Sequence, residues 1–220
     1  MHKYLIAINN FKIPCSFLRL KIGLIVLIVG IFSFGVAESF QSGEIIWKIA
    51  RNESGELAWN LMIFVIFVGM FSKIFLQNKL LQQILPLRKH AGVLLFLIIL
   101  AHAIFHFLRA GVLGDWTGMY FESVESDWAI LFGVISFLIL LPLFLTSTNF
   151  ACKKMGYKSW KFLQRFTHLA FISAAIHVIF IKFSQYSEID FNALSILIIY
   201  LLGYLWLFSR KTKKVSTPRT

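Results

Sequence analysis

The stretch AGVLLFLIILAHAIFHFL at residues 91–108 holds two histidines, His102 and His106, inside an apolar run of membrane-spanning length. A second run, FLQRFTHLAFISAAIHVIFI at residues 162–181, holds His168 and His177. About 20 apolar residues in helical form cross about 30 Å of hydrocarbon. An ionisable side chain inside such a span is costly, so its presence indicates a function. These two stretches therefore fix the class of fold and suggest where a site lies.

Four further apolar runs accompany them, at residues 21–36, 58–75, 128–145 and 191–208. Hydrophobic residues make up 58% of the 220-residue chain, and the mean hydropathy is +0.76. Lipid offers the backbone no hydrogen-bond partners, so the spans must be helices. The sequence predicts an all-α polytopic membrane protein, a bundle of six transmembrane helices. It contains no dinucleotide or Walker fingerprint, so nicotinamide, molybdenum or ATP chemistry would belong to a partner.

The net charge of +12 does not indicate nucleic-acid binding, because the charges alternate between the loops. The N-terminal segment, the second and fourth loops and the tail hold 18 of the 22 Lys and Arg residues, and the remaining loops hold all ten acidic residues. This positive-inside pattern predicts that both termini are cytoplasmic. We expect a cytoplasmic segment (1–20), a membrane domain (21–209) and a basic cytoplasmic tail (210–220) in a bacterial inner membrane. The first run could alternatively be a cleaved signal peptide.

The histidines can be placed by depth along their helices. His102 and His106 are four residues apart and share a helix face. At 1.5 Å per residue, His102 lies roughly 16 Å from the cytoplasmic end of its span and His106 and His177 roughly 22 Å. Imidazole is a common axial ligand of haem iron. The pattern favours a b-type haem between His177 and either His102 or His106, with interhelical hydrogen bonding or a proton or metal-ion pathway as alternatives.

Three residues nearer the cytoplasmic face have less certain roles. His168 lies roughly 9 Å deep and on the opposite side of its helix from His177, so it is either a ligand, a propionate partner or an interhelical hydrogen bonder. Arg88 and Arg165, close to Lys89 and Lys161, could pair with haem propionates or with anionic lipid headgroups. Plain positive-inside topology explains these cations equally well.

Four short stretches resemble the ferric reductase-like transmembrane domain family. They are LRKHAG at 87–92 followed by His102, SGELA at 54–58, LTST at 145–148 and MGYKSW at 155–160. Within that family the chain is most similar to the MsrQ group, the haem-binding membrane subunits of protein-methionine-sulfoxide reductase systems. The resemblance covers about residues 50–180.

The resemblance implies a six-helix bundle that holds b-type haem, with His102 and His177 as axial ligands. It implies electron transfer from the quinone pool, or from a cytoplasmic flavin reductase, to a periplasmic molybdopterin reductase of oxidised methionine, and it also implies FMN. One position departs from the family pattern, because its first histidine of the fifth helix falls on Gln164. His168, one turn later, could substitute, so the haem count, one or two, stays open.

Two other functions compete with this one. A transmembrane ferric or cupric reductase component would share the haem but deliver electrons to a metal ion. A non-haem transporter would purify as a colourless protein, and the centres of the six runs contain no carboxylate to support one.

Overall fold

The computed structural model describes residues 46–113 and 124–216, with isolated helical positions at 29, 33 and 37. All of the regular structure in these ranges is helical. We number the helices in chain order as α1 (Ile46–Ile74), α2 (Lys79–Ile84), α3 (Leu87–Leu113), α4 (Val124–Leu145), α5 (Asn149–Met155), α6 (Tyr157–Leu163), α7 (Phe166–Tyr186) and α8 (Phe191–Ser216).

Five stretches are long and apolar enough to cross a membrane: Ile49–Ile74, Leu87–Phe107, Trp128–Leu145, Tyr157–Ser184 and Phe191–Arg210. They match the last five predicted runs, so the chain is a multi-pass membrane protein, and its regular structure is helical throughout the described residues. The first predicted run, at 21–36, lies outside the described residues apart from two isolated helical positions, as does the segment 1–20. The sixth helix and the location of the termini therefore remain predictions.

Several helices are longer than their apolar runs. Helix α1 begins at Ile46, well before the predicted start at residue 58, and α8 continues to Ser216 into the predicted tail. A helix satisfies its own backbone hydrogen bonds, so it can leave the hydrocarbon and continue among polar headgroups. As a result Arg51, Ser54 and Gly55 lie on α1 rather than in a loop.

The chain forms three separate helices, α5, α6 and α7, around the fifth predicted run at residues 162–181. Gly156, at φ +78°, separates α5 from α6 in a conformation that favours glycine. Between α6 and α7 the backbone makes tighter turns, with the Arg165 amide donating to Phe162 and the His168 amide donating to Arg165. The polar pair Gln164 and Arg165 thus lies at the junction, and the apolar helix proper begins at Phe166.

The membrane helices pack as two antiparallel pairs, α1 with α3 and α4 with α7. Two buried hydroxyls join the second pair, since Ser136 donates to the Ala170 carbonyl at 3.0 Å and Ser173 donates to the Phe132 carbonyl at 2.7 Å. Hydrogen bonds of this kind hold helices together where lipid provides no hydrophobic drive. The pairs meet through α3 with α4 and α1 with α7, and α8 packs on α7 and α1.

Candidate functional site: two histidines held by neighbouring helices

The imidazole of His102, on α3, is held by the N-terminal part of α1. Its Nδ1 lies 2.8 Å from the carbonyl oxygen of Arg51, which can only accept a hydrogen bond. The Ser54 hydroxyl donates to the same carbonyl at 2.9 Å and lies 3.4 Å from Nδ1. A neutral imidazole has one N–H, and here it must lie on Nδ1. The lone pair on Nε2 is therefore left for a ligand.

His177, on α7, repeats this arrangement against α4. Its Nδ1 lies 2.6 Å from the carbonyl oxygen of Ala129. The N–H is again fixed on Nδ1, and Nε2 again keeps its lone pair. A second ring nitrogen that donates to a backbone carbonyl is the usual support of a metal-ligating histidine, because it fixes both tautomer and ring orientation.

A glycine lies against each of these two rings. A Cβ built on Gly55 of α1 would lie 2.9 Å from His102 Cε1, and one built on Gly133 of α4 would lie 2.9 Å from His177 Nδ1. Both distances are shorter than real Cβ contacts allow. The absence of a side chain at both positions therefore lets each imidazole approach the neighbouring helix closely.

The helices that carry the two rings make their main contacts elsewhere, α3 with α1 and α7 with α4. His102 nevertheless lies within electrostatic interaction range of both His177 and His106. This arrangement fits a planar group placed between α3 and α7 with one imidazole on each face. No group of three or more His, Cys, Asp or Glu side chains converges in the described ranges, and iron held in a porphyrin needs only two protein ligands.

His106 lies one turn beyond His102 on α3. It is half-buried, and its ring meets the edge of Phe107 at a centroid distance of 6.2 Å. Its proximity to His102 agrees with the shared face expected from their spacing.

His168 has a different environment. Its Nδ1 lies 2.9 Å from the Tyr200 hydroxyl on α8, and its ring stacks on Tyr200 with the centroids 6.0 Å apart. The Tyr204 ring also contacts the His168 ring, with the two centroids 5.4 Å apart and the ring planes tilted by 56°. When Tyr200 donates this hydrogen bond, the proton of the neutral imidazole is on Nε2, which then has no lone pair for iron.

The cations Arg88 and Arg165 lie at the opposite end of the bundle from His102. Arg88 precedes His102 by 14 residues, about 21 Å along α3. Its half-buried guanidinium lies against Gly69 of α1. Lys73 interacts electrostatically with both arginines. The structure thus groups Arg88 and Arg165 with other cations, and it leaves Gln164 at the α6–α7 junction.

Sequence reasoning did not identify Gly133, Tyr200 or the carbonyls of Arg51 and Ala129. Gly133 stands in an apolar run where nothing marks it as special, and Tyr200 is one of several aromatics in the last apolar run. Backbone carbonyls carry no side-chain signal at all. Gly55 did have a signal, since it belongs to the stretch SGELA at 54–58.

Comparison with known proteins agrees with this architecture. The family model described as "Ferric reductase like transmembrane component" matches residues 54–175. The haem-binding subunit MsrQ of protein-methionine-sulfoxide reductase from Brucella anthropi is 27% identical over 186 residues, which cover 79% of this chain and 82% of that protein. The MsrQ of Brucella ovis is 27% identical over 144 residues, 60% of this chain and 63% of its own length. The magnetosome protein MamZ of Magnetospirillum gryphiswaldense is 37% identical over 78 residues, covering 35% of this chain and 12% of MamZ.

Proposed function

Because the chain belongs to the family of ferric reductase-like transmembrane components, we propose that it is a membrane electron-transfer subunit with one b-type haem. His102 and His177 would hold the haem iron through their Nε2 atoms. The matched relatives named as haem-binding subunits support the cofactor.

The paired support of the two imidazoles carries the proposal. His102 and His177 lie on different helices, and each directs its Nδ1 to a carbonyl of a third or fourth helix at 2.8 and 2.6 Å. Each of these hydrogen bonds uses Nδ1 and leaves Nε2, the nitrogen on the other side of the ring, with its lone pair. Two Nε2 lone pairs held on facing helices suit bis-imidazole ligation.

The bound haem would supply one-electron chemistry, and the protein would supply position and environment. His102 and His177 fix the iron, and the apolar side chains of the surrounding helices exclude water and lower the local dielectric constant. The site lies in the half of the bundle near Arg51, the predicted outer side. Electrons would enter from the cytoplasmic side or from quinol and leave to a partner outside.

The proposed assembly follows the MsrQ relatives. The chain would form six helices with cytoplasmic termini in a bacterial inner membrane. Its electron donor would be the quinone pool or a cytoplasmic flavin reductase, and its acceptor a periplasmic molybdopterin reductase of methionine sulfoxide. FMN is a further proposed cofactor, and flavin fluorescence released from the purified protein tests it.

Haem content of purified variants tests the central proposal. The reduced-minus-oxidised absorbance spectrum and a pyridine haemochrome count should give b-type bands and one haem per chain. His102→Ala and His177→Ala should each abolish the bands, whereas His106→Ala and His168→Ala should keep them. Haem content that survives both of the first two substitutions would refute the assignment, and colourless wild-type protein would favour the transporter.

A ferric or cupric reductase component is the second candidate, favoured by the description of the matching family model. It shares the haem and differs in the acceptor. Reoxidation of the dithionite-reduced protein by ferric citrate, compared with reoxidation by a periplasmic molybdopterin reductase, separates the two. Rapid reoxidation by the metal ion alone would support the second candidate.

A further inference from the structure

A cluster of four cations at the predicted cytoplasmic end of the bundle has no role in the proposed haem site. Lys73, on α1, interacts electrostatically with Arg88 of α3 and with Lys161 and Arg165 at the α6–α7 junction. Three different chain segments thus bring like charges together. Like charges repel, so such an arrangement is unfavourable unless an anion compensates it.

The sequence contains no carboxylate side chain that could compensate the cluster. No Asp or Glu occurs before residue 38, between 57 and 114, between 128 and 187 or after 190. The positive-inside pattern predicts that every acidic residue lies towards the opposite face of the membrane. A bound anion that compensates the cluster would therefore come from outside the protein chain.

Arg88 distinguishes this cluster from ordinary positive-inside topology. A Lys or Arg that only orients the chain needs to reach water, yet the Arg88 guanidinium is half-buried against α1. A Cβ at Gly69 would lie 2.7 Å from its Cζ atom, so the glycine provides the space it occupies. The guanidinium is thereby held beside Lys73, where its planar set of donors can bind oxyanions.

Exposed aromatic side chains lie within two residues of three of the cations along the chain. Phe75 of α1 is 54% exposed and Phe162 of α6 is 59% exposed, and the Phe162 ring packs edge-on against Phe166. These charged groups and exposed aromatic rings lie at the ends of membrane-spanning helices. Together they form a surface that is cationic at the depth of the lipid headgroups and apolar just below that depth. This combination matches the chemistry of an anionic phospholipid.

We propose that Lys73, Arg88, Lys161 and Arg165 form a binding site for the phosphate of an anionic phospholipid in the cytoplasmic leaflet. The phosphate oxygens bind the guanidinium of Arg88 and the ammonium of Lys73, and the acyl chains lie along Phe162 and Phe166. The lipid thereby joins α1, α3 and the α6–α7 junction.

Two other anions share part of this chemistry. The propionates of a haem at His102 would lie too far away, since Arg88 is about 21 Å along the helix from that residue. A soluble phosphate ester such as FMN offers the same oxyanion but no acyl chains for the aromatic rim. The experiment therefore compares lipid with soluble phosphate.

Native mass spectrometry of the haem-loaded full chain, titrated with phosphatidylglycerol or phosphatidylcholine, tests the site. The wild type should bind phosphatidylglycerol in preference to phosphatidylcholine. The double substitution Lys73→Gln/Lys161→Gln should weaken phosphatidylglycerol binding by on the order of tenfold or more, since each cation near the surface contributes substantially. Lys153→Gln/Lys154→Gln removes two charges from the predicted cytoplasmic helix α5 and should leave binding within about twofold.

A charge-neutral variant keeps the test independent of net charge. Gly69→Leu would displace the Arg88 side chain and should weaken phosphatidylglycerol binding, whereas Gly92→Leu on α3, where a Cβ meets nothing within 4 Å, should not. Three outcomes would each overturn the proposal. The protein could bind the two lipids equally, or the α5 control could lose as much binding as Lys73→Gln/Lys161→Gln. FMN or inorganic phosphate could also displace phosphatidylglycerol. Haem spectra of the same samples keep a failure of the haem assignment separate.

Discussion

A histidine ring becomes a defined ligand only when its tautomer is fixed, and in this protein backbone carbonyls fix it. His102 and His177 both donate from Nδ1, whereas His168 meets a hydroxyl at the same atom. A carbonyl can only accept, so the first two rings present a lone pair at Nε2. A phenol can donate, and when Tyr200 does so the third ring presents N–H at Nε2. The three membrane histidines thus differ in the atom that contacts Nδ1, and that atom decides which ring nitrogen carries the proton.

Substitution of the glycines beside the rings should disturb the haem site without touching a ligand. Gly55→Ala and Gly133→Ala each place a methyl group 2.9 Å from an imidazole atom. The ring must shift away from its carbonyl, and haem affinity should fall by on the order of tenfold, as for other supports of metal ligands. Haem retained per chain after dialysis against apomyoglobin measures the effect.

Gly92→Ala is the matched control, because its added methyl group meets nothing within 4 Å. It changes the same residue type in a membrane helix and should retain haem like the wild type. Wild-type retention in both Gly55→Ala and Gly133→Ala would contradict the proposed role of the close approach.

Removal of the Tyr200 hydroxyl should reveal whether His168 is a ligand. Tyr200→Phe deletes the donor to Nδ1 and should lower the free energy of unfolding by about 0.5–1 kcal/mol, with one haem per chain unchanged. Thermal melting in detergent and a pyridine haemochrome count measure the two quantities. A haem count that falls from two to one in this variant would show instead that His168 supports a second haem.

At the scale of the helices, the predicted outer loop between α7 and α8 is organised by Asp190. Its Oδ1 accepts from the amides of Asn192 and Ala193 at the start of α8, and its Oδ2 lies 2.9 Å from Lys182 Nζ on α7. One carboxylate therefore caps one helix and ties it to the preceding one. Its side chain is only 7% exposed, whereas that of Lys182 is 51% exposed.

The stability that Asp190 contributes should depend on pH in the acidic range. Burial by itself raises the pKa of Asp190, but the hydrogen bonds from Lys182 and the α8 amides outweigh it and hold the pKa below 3.8. Because the folded pKa lies below the unfolded one, the contribution is complete above about pH 4 and is lost as the pH falls through the folded value. Asp190→Ala should cost about 1 kcal/mol at pH 7.

Thermal melting of Asp190→Ala and of the wild type in detergent, from pH 7 to pH 3, measures this dependence. The difference between the two proteins should shrink towards the acidic end. Asp190→Asn is the informative control, since it keeps an acceptor for the helix cap and loses only the charge. A difference that stays constant with pH would refute a contribution from the ionised carboxylate.

At the scale of the whole molecule, the charge pattern predicts which loops face the cytoplasm. The two native cysteines, Cys15 and Cys152, both fall in predicted cytoplasmic segments, and Glu188 falls in an outer loop. Intact cells should therefore leave both native thiols unlabelled by a membrane-impermeant maleimide. Glu188→Cys should be labelled under the same conditions.

Cells opened by freeze–thaw provide the comparison for the labelling experiment, because the predicted cytoplasmic thiols then meet the reagent. Cys152 should react after opening. Labelling of Cys152 in intact cells, together with protection of the thiol at position 188, would reverse the proposed topology and place the haem in the cytoplasmic half of the membrane.

The sequence by itself determined the membrane architecture of the described part of the chain. Apolar runs of spanning length must become helices in lipid, and all five runs within the described ranges did so. The same reasoning singled out His102, His106, His168 and His177, because ionisable residues are rare in such runs, and it left open which of them bind a cofactor. Helix ends were predicted less well, as α1 shows, since a helix can extend past the hydrocarbon without any change in composition.

Only the tertiary structure decided what each polar side chain contacts. Helical periodicity places a histidine on a face, but the partner depends on which helix packs there and how closely. The carbonyls of Arg51 and Ala129, the glycines that admit the two rings and the Tyr200 hydroxyl all come from other helices. Arg88 likewise gained its place beside Lys73 through Gly69, because packing between helices joins residues that the sequence keeps apart.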